Sequence, residues 1–292
     1  MTEPGPEWLA ERFEEQRPRL RSVAYRMLGS LSEAEDAVQE AWLRLSGTRA
    51  GEIDELGAWL TTVVARISLN LLRSRKTRSE THVPDPLIDG PEGPSPEHGA
   101  LLANTVGLAL LVVLETLTPA ERIAFVLHDV FGMPFDAIAP IVERTPEAAR
   151  QLASRARRRV QERKATPDAD VEAQRAIVDA FVAAAREGDL PRLVAVLDPE
   201  VLLRGDAGDV LVGRSLEIRG ADPVARRAQG FARIGLQQLP ALVNGAAGLV
   251  CLLDGKPFSV MAFTVAAGKI AEIDILSDPA RLAALDLTVL GA

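Results

Sequence analysis

Residues Leu117–Lys164 read LTPAERIAFVLHDVFGMPFDAIAPIVERTPEAARQLASRARRRVQERK, and this stretch decides the fold of the middle of the chain. Thr118-Pro119-Ala120-Glu121 is a capping box with proline at the first helical position. Thr145-Pro146-Glu147 opens another helix in the same manner. Between them lie Gly132 and a short segment, Pro134–Val142, in which Pro140 predicts a kink or an early end. A capped helix, a turn, a short helix and a basic last helix make a helix-turn-helix, whose last helix is built to enter the major groove of DNA. Ala149, Leu152, Ala156 and Val160 recur at spacings of three and four and mark the buried seam of that helix. Glu147, Gln151, Ser154, Arg155 and Arg158 then lie on its open face.

Charge points the same way. Residues 144–164 hold eight Arg or Lys against two Glu, a local +6 in a chain whose net charge is −8. A basic island in an acidic protein is a local anion site, not an effect of composition. Arginines also suit the end of a solvated helix, where they complement the macrodipole, but the apolar seam opposite them favours a docked helix. A second island covers residues 66–78, with Arg66, Arg73, Arg75, Lys76 and Arg78 and no acid.

Composition bounds the remaining possibilities. A length of 292 residues allows two or three domains, and a hydrophobic content of 47% is enough to give each a core. No apolar run approaches the length of a membrane span, and the acidic N-terminus lacks the apolar centre of a secretory signal. With Cys251 alone, no intrachain disulfide is expected, and the reducing cytoplasm is the expected location. His82, His98 and His128 are scattered, so neither a zinc site nor any other metal or cofactor is expected. Nucleotide-binding glycine motifs and the nucleophile-elbow motif are absent from the sequence.

Residues 6–78 read as helices: an amphipathic Glu7–Leu28, then Glu33–Leu45 opened by a Ser32-x-x-Glu35 box, then Leu56–Arg75. Ala34, Ala37, Val38, Ala41, Trp42 and Leu45 form the stripe of the second helix; Trp59, Leu60, Val63, Ile67 and Leu71 point inward from the third. Residues 79–100 carry five prolines and three glycines and read as a structureless linker, with an extended reach of roughly 70 Å at about 3.1 Å per residue. Residues 101–165 form the helix-turn-helix domain. From residue 170 the texture changes to one helix, Glu172–Glu187, followed by short apolar segments at Pro199–Arg204, Val210–Val212, Ala247–Leu253, Phe258–Ala266 and Ile270–Leu276. Asp254-Gly255 and Ala267-Gly268 are hairpin signals, so residues 170–292 read as an α+β domain with an antiparallel sheet.

Two basic helical modules joined by a linker resemble the bacterial extracytoplasmic-function (ECF) sigma factors. EAEDAVQEAWLRL (33–45) is similar to the helix that binds the β′ clamp of RNA polymerase in that family. AWLTTVVAR (58–66) and LNLLRSR (69–75) are similar to the helices that melt and read the −10 element, and residues 117–160 resemble the −35-binding domain. The last domain resembles the SnoaL-like, cone-shaped α+β fold that one ECF subgroup carries at its C-terminus. The quoted similarities are RQLASRAR (150–157), PALVNG (240–245) and SDPARL (277–282). VPDPL (83–87) stands where the subgroup has a Trp-Leu-Pro-Glu-Pro-like motif, without the Trp, and DAGD (206–209) where it has Asp-Gly-Gly-Gly.

The resemblance implies a multidomain sigma factor: two all-α domains followed by the α+β domain, binding core polymerase through its β′ clamp and β flap, and promoter DNA. It implies no membrane, no catalysis and a monomer when free. Glu35, Asp36, Gln39, Glu40 and Arg44 are the implied polymerase contacts. Arg66, Asn70, Arg73, Arg75 and Lys76 supply the cationic track for the single-stranded −10 element. At the −35 element, Arg150, Gln151, Ser154 and Arg155 are the base-edge candidates, since Arg reads guanine and Gln reads adenine. Arg157, Arg158 and Arg159 are the phosphate candidates. Pro84, Asp85, Pro86, Asp206, Asp209, Ser277, Asp278 and Pro279 are the implied contacts by which the last domain regulates the sigma core in cis. Two rival readings stay open: a ligand-responsive helix-turn-helix regulator, which leaves the second basic module unexplained, and a SnoaL-like cyclase or isomerase. Against the latter, residues 165–292 hold no His or Tyr, and nothing pairs Asp206, Asp209 and Asp274 as acid and base.

Overall fold

The computed structural model describes residues 6–48, 53, 55–78, 84–94, 98, 108–162, 168, 170–206 and 216–291, excepting some side chains. These divide into two compact units. The first takes the described residues through Asp85 and those from 110 to 162; the second takes 86–94, 98, 108–109 and the residues from 168 onward.

The first unit is helical. Helices α1 (Pro6–Leu28), α2 (Leu31–Ser46) and α3 (Leu56–Arg78) pack on one another. Leu20, Val23, Met27 and Leu28 of α1, Ala37 and Leu45 of α2, and Leu60 and Val64 of α3 fill the space between them, each large side chain contributing about 1.5–3 kcal/mol by leaving water. The Ser32-x-x-Glu35 box does not form. Ser30 is the N-cap, accepting from the Glu33 N–H at 3.4 Å, and the helix starts at Leu31. Glu35 instead turns to α1, where it pairs with Arg17 and, at 3.4 Å, with Arg21.

The same unit contains α4 (Leu108–Glu115) from residue 110 on, α5 (Pro119–Phe125), a π-helical turn (Val126–Val130), α6 (Phe135–Val142) and α7 (Pro146–Glu162). The Thr118 capping box is formed reciprocally with Glu121. Helix α6 ends two residues after Pro140, at Val142, and its C-cap Glu143 holds φ 58°. Helix α3 packs on α5 and α6 as well as on α1 and α2. That explains why Ala65, Ser68, Leu69 and Leu72 are buried beyond its expected stripe, while Trp59 and Leu71 are half-buried. At the α1–α2 junction Gly29 has φ +68°, and a Cβ there would stand 3.1 Å from Glu115 Oε1 and 3.3 Å from Pro84 Cβ.

The second unit is α+β. Its elements are β1 (Ile88–Asp89), α8 (Val171–Glu187), α9 (Leu190–Val196), β2 (Leu197–Asp206), β3 (Leu216–Arg219), α10 (Ala221–Ala232), β4 (Gln237–Val243), β5 (Ala246–Leu253), β6 (Lys256–Ala266), β7 (Lys269–Leu276) and α11 (Pro279–Ala283). The sheet order is β1-β4-β5-β6-β7-β2-β3. It is mixed, not antiparallel throughout: β2 runs parallel to β7, because the β4–β7 meander returns its last strand alongside β2. Asn244-Gly245, Asp254-Gly255 and Ala267-Gly268 all take positive φ at both positions and close two-residue hairpins. The Asp168 carboxylate accepts from the N–H groups of Ala267 and Gly268 and props the last of them. Val178, Phe181, Leu193, Leu203, Leu249, Phe263 and Ile273 form the core between α8 and the sheet. Gly248 is required on β5: a Cβ would fall 2.4 Å from Val243 Cγ2 and 2.8 Å from the Met261 carbonyl. The expected segment Val210–Val212 lies outside the described residues.

The linker is not structureless over its described part. Pro84, Pro86, Leu87, Ile88 and Asp89 are buried, and β1 forms the edge of the sheet, with Ile88 opposite Val243 and Asp89 opposite Leu242. Asn244 donates its N–H to the Leu87 carbonyl at 2.8 Å and accepts the Leu87 N–H at 3.1 Å. An apolar pair between prolines extends an otherwise open edge.

Candidate nucleic-acid interface

The helix-turn-helix is assembled from local signals. Thr118 and Glu121 start α5, the Phe131 N–H closes the π turn on Val126 O at 3.2 Å, and Thr145 caps α7 through the Ala148 N–H at 3.2 Å. Helix α7 lies on α5 and α6 through Ala149, Ala153 and Ala156, all buried. Ala153 joins the expected seam, and Leu152 and Val160 are half-buried at its borders. Alanine allows a close approach of helix axes and leaves the long polar side chains outside. Arg150, Gln151, Ser154, Arg155, Arg157 and Arg158 are all exposed.

Several of these arginines are tied down within the unit. Arg157 pairs with Asp129 (Nε to Oδ1, 2.7 Å), and Arg159 with Glu121 at 2.9 Å. Arg155 stands 3.9 Å from Glu121. Burial works against the Glu121 charge, but the Thr118 N–H and hydroxyl, with Arg159 and Arg155, outweigh it and hold the carboxyl below the usual glutamate range. Arg150 bonds Glu147 at 2.8 Å and lies over the Phe135 ring, 5.3 Å from its centroid. Among the described residues Arg158 takes no ion-pair partner.

The second basic island is only partly a surface track. Arg66 and Asn70 are exposed. Arg73 reaches Glu143 of the helix-turn-helix, with Nη2 to Oε2 at 3.1 Å. The Lys76 side chain lies outside what the structure describes. Arg75 corrects the expectation. It is buried, donating to the Leu28 carbonyl at 2.8 Å and pairing with Glu33, so it clasps α3 to α1 and α2 and is not on the track.

On α2, Asp36, Gln39, Glu40 and Arg44 are exposed, Glu40 and Arg44 paired, and Glu35 half-buried. Beside them a groove of about 340 Å³ runs between α1 and α2, lined by Phe13, Arg17, Glu35, Val38, Gln39 and Trp42 among others. Trp42 is therefore only half in the core, its ring 5.0 Å from that of Phe13. Leu43, an apolar side chain outside the expected stripe, is 63% exposed.

Sequence reasoning missed Arg122. Its guanidinium is buried, donating to the carbonyls of Leu114 and Met27, each at 2.9 Å, and pairing with Glu115 at 2.7 Å. Together with Arg26 over the Phe131 ring at 5.0 Å and Arg73 on Glu143, it joins the first three helices to the helix-turn-helix.

The expected regulatory residues occupy separate places. The Asp85 N–H donates to Gly29 O at 2.7 Å, its carbonyl accepts from the Tyr25 hydroxyl at 2.6 Å, and its carboxylate accepts from the Leu31 N–H at 3.3 Å. Pro84 is buried beside Gly29, and Pro86 is buried in the second unit. Ser277 is half-buried, Asp278 caps α11 through the Arg281 N–H, and Pro279 is its exposed first residue. Asp209 and the Asp206 side chain lie outside the described residues.

In the second unit Asp274 is committed to Arg204, with Nε to Oδ1 at 2.7 Å, and Glu272 takes the same guanidinium at 2.6 Å. Burial would lower the Arg204 pKa, but the two carboxylates raise it. A cavity near the sheet is lined by Phe181, Leu203, Arg227, Gln238, Cys251 and Ile273 among others, and burial pushes the Cys251 thiol up. Among the described residues no group of three or more His, Cys, Asp or Glu could hold a metal ion, and no helix is long and apolar enough to cross a membrane.

Two family models match the chain: Sigma-70 region 2 over residues 12–78, and Sigma-70, region 4, over residues 107–160. The ECF RNA polymerase sigma factor SigJ of Mycobacterium tuberculosis is 38% identical over 285 residues, which cover 91% of each chain. The probable ECF RNA polymerase sigma factor SigI of the same organism is 34% identical over 275 residues, covering 91% of this chain and 92% of that protein. The crystal structure of M. tuberculosis SigJ superposes with a TM-score of 0.75 at 35% identity, covering 95% of this chain and 99% of the other.

Proposed function

The chain belongs to the ECF RNA polymerase sigma factors, and from that premise we propose how its surfaces share the work of promoter-specific transcription initiation. Helix α7 reads the −35 element. Arg150, Gln151, Ser154 and Arg155 meet base edges, while Arg157 and Arg158 meet phosphates, which position the helix without specifying a sequence. Helix α3 follows the single-stranded −10 element with Arg66, Asn70, Arg73 and Lys76. The outer face of α2, with Asp36, Gln39, Glu40 and Arg44, takes the β′ clamp of core polymerase, and the helix-turn-helix module takes the β flap. The free protein is a monomer. The C-terminal SnoaL-like unit regulates these modules in cis and does not catalyse. That reading is supported by Asp274, one of the three acid–base candidates, which is locked to Arg204.

The observation that carries the −35 assignment is the contrast across α7: an all-alanine contact line on one side, and six exposed polar residues on the other. Run-off transcription with core polymerase and a randomised promoter library tests the whole reading. The intact chain is expected to select one −35 and one −10 sequence. Selection of DNA without core polymerase, and no transcription with it, would reject it. Arg158→Ala is expected to weaken every promoter alike and to flatten the salt dependence by about one counterion.

A further inference from the structure

The reading of −35 bases by Arg150 leaves open how a four-torsion side chain on an exposed helix face is aimed. Its pair with Glu147 cannot do this alone, since both side chains are more than half exposed and such pairs are weak. The second contact is the Phe135 ring, 5.3 Å from the Arg150 guanidinium carbon to the ring centroid. The same ring is also stacked with His128, at 3.9 Å between centroids with 29° between planes. His128 is itself fixed, because its Nδ1 lies 3.0 Å from the Met133 carbonyl and it belongs to the π turn closed by Phe131 and Val126. A chain of contacts, His128 to Phe135 to Arg150, therefore runs from the turn, through the first residue of α6, to the recognition helix.

Phe135 is half-buried and stands outside the alanine seam. Burial at such a position needs only an apolar side chain, and leucine would serve. Two face contacts, one with an imidazole and one with a guanidinium, need a flat aromatic ring. We propose that Phe135 is a positioning residue for base recognition: it pre-orients the Arg150 guanidinium and thereby sets the preference at one −35 position. The inference rests on the assignment of Arg150 as a base reader. Orienting the side chain in advance removes part of the ordering cost that binding would otherwise carry, and it does so selectively for a bidentate contact, which depends on the plane of the guanidinium.

The test uses the full chain on core polymerase with a randomised −35 library. Arg150→Ala first identifies the position whose preference it abolishes. Phe135→Leu is then expected to reduce the preference at that same position by about three- to fivefold. The melting temperature, the salt slope and the preference at every other position stay unchanged. Phe135→Tyr, which keeps the ring, is expected to retain the preference. Phe135→Met serves in place of the leucine variant should that one melt early. Retention of the preference by both ringless variants overturns the proposal, as does an equal loss on all promoters, which would mark Phe135 as a support of the fold. Should Arg150→Ala relax no position, the base-reading assignment fails and the inference falls with it. That outcome is distinguishable because the Arg150 substitution leaves the ring in place.

Discussion

The guanidinium of Arg122, on the first helix of the helix-turn-helix module, donates to the carbonyl of Met27 at the end of α1, 2.9 Å away. It is a buried cation of the helix-turn-helix serving the backbone of helix α1. Its further contacts, with Leu114 O and Glu115, leave no part of the fork to water. Arg122→Leu strands the Glu115 carboxylate and two carbonyls, and should destabilise the helical unit by about 3–5 kcal/mol, measured by denaturation of the full chain followed by circular dichroism. Arg122→Lys should recover only part of this, because a single ammonium cannot reproduce a planar fork. A change under 1 kcal/mol for the leucine variant would show that the joint is incidental.

The α2 surface gives a second expectation. Replacing both Asp36 and Glu40 with Arg should abolish binding to core polymerase and leave helical content intact. Asp36 and Glu40 are exposed, and among the described residues the pair broken, Glu40 with Arg44, is a surface pair worth at most a few tenths of a kcal/mol. Unchanged affinity for core would remove this face from the contact.

Glu121 links the helix start to the basic helix, and its carboxyl is held below the usual glutamate range. A depressed value means that its contribution to stability is complete above the ordinary glutamate pKa, and is lost as the pH falls through the lowered one. Glu121→Gln should therefore lower stability at neutral pH and make the acid limb of the stability profile shallower. An identical pH profile for the two proteins would exclude the carboxylate as the source.

The linker anchor predicts a regulatory effect. Asn244→Ala removes the side-chain acceptor of the Leu87 N–H and places alanine at φ 51°. It is expected to loosen β1 and to change the transcription yield without altering −10 or −35 preference. Equal yields from both proteins at equal concentration, with both folded, would remove the anchor from regulation.

Much of this was legible in the sequence where punctuation was strong. The Thr-Pro starts at 118 and 145 placed the helix-turn-helix, and Asp254-Gly255 and Ala267-Gly268 placed two hairpins, because capping and positive φ are local demands. Arg75 and Arg122 were not legible. A basic residue near a helix end reads as solvated whether it faces water or a neighbouring carbonyl, and only the packing of α3 and α5 decides. The Ser32 box failed because Ser30 could cap as well and Glu35 found two arginines across the helix pair. The parallel pairing of β2 with β7 was hidden because strand neighbours far apart in sequence leave no local mark. The strand in the linker was hidden because proline-rich composition masked the Leu87-Ile88 pair.

Strand β1 is only two residues long. A ladder so short, with the two Asn244 bonds beside it, amounts to a handful of hydrogen bonds at about 0.5–1.5 kcal/mol each. A nanomolar complex carries about 12 kcal/mol. The anchor thus sits in the range where a partner's binding energy can peel it and its departure lets it re-form. A two-residue strand held at this strength is a reversible fastening of the linker to the sheet, not a permanent part of the core.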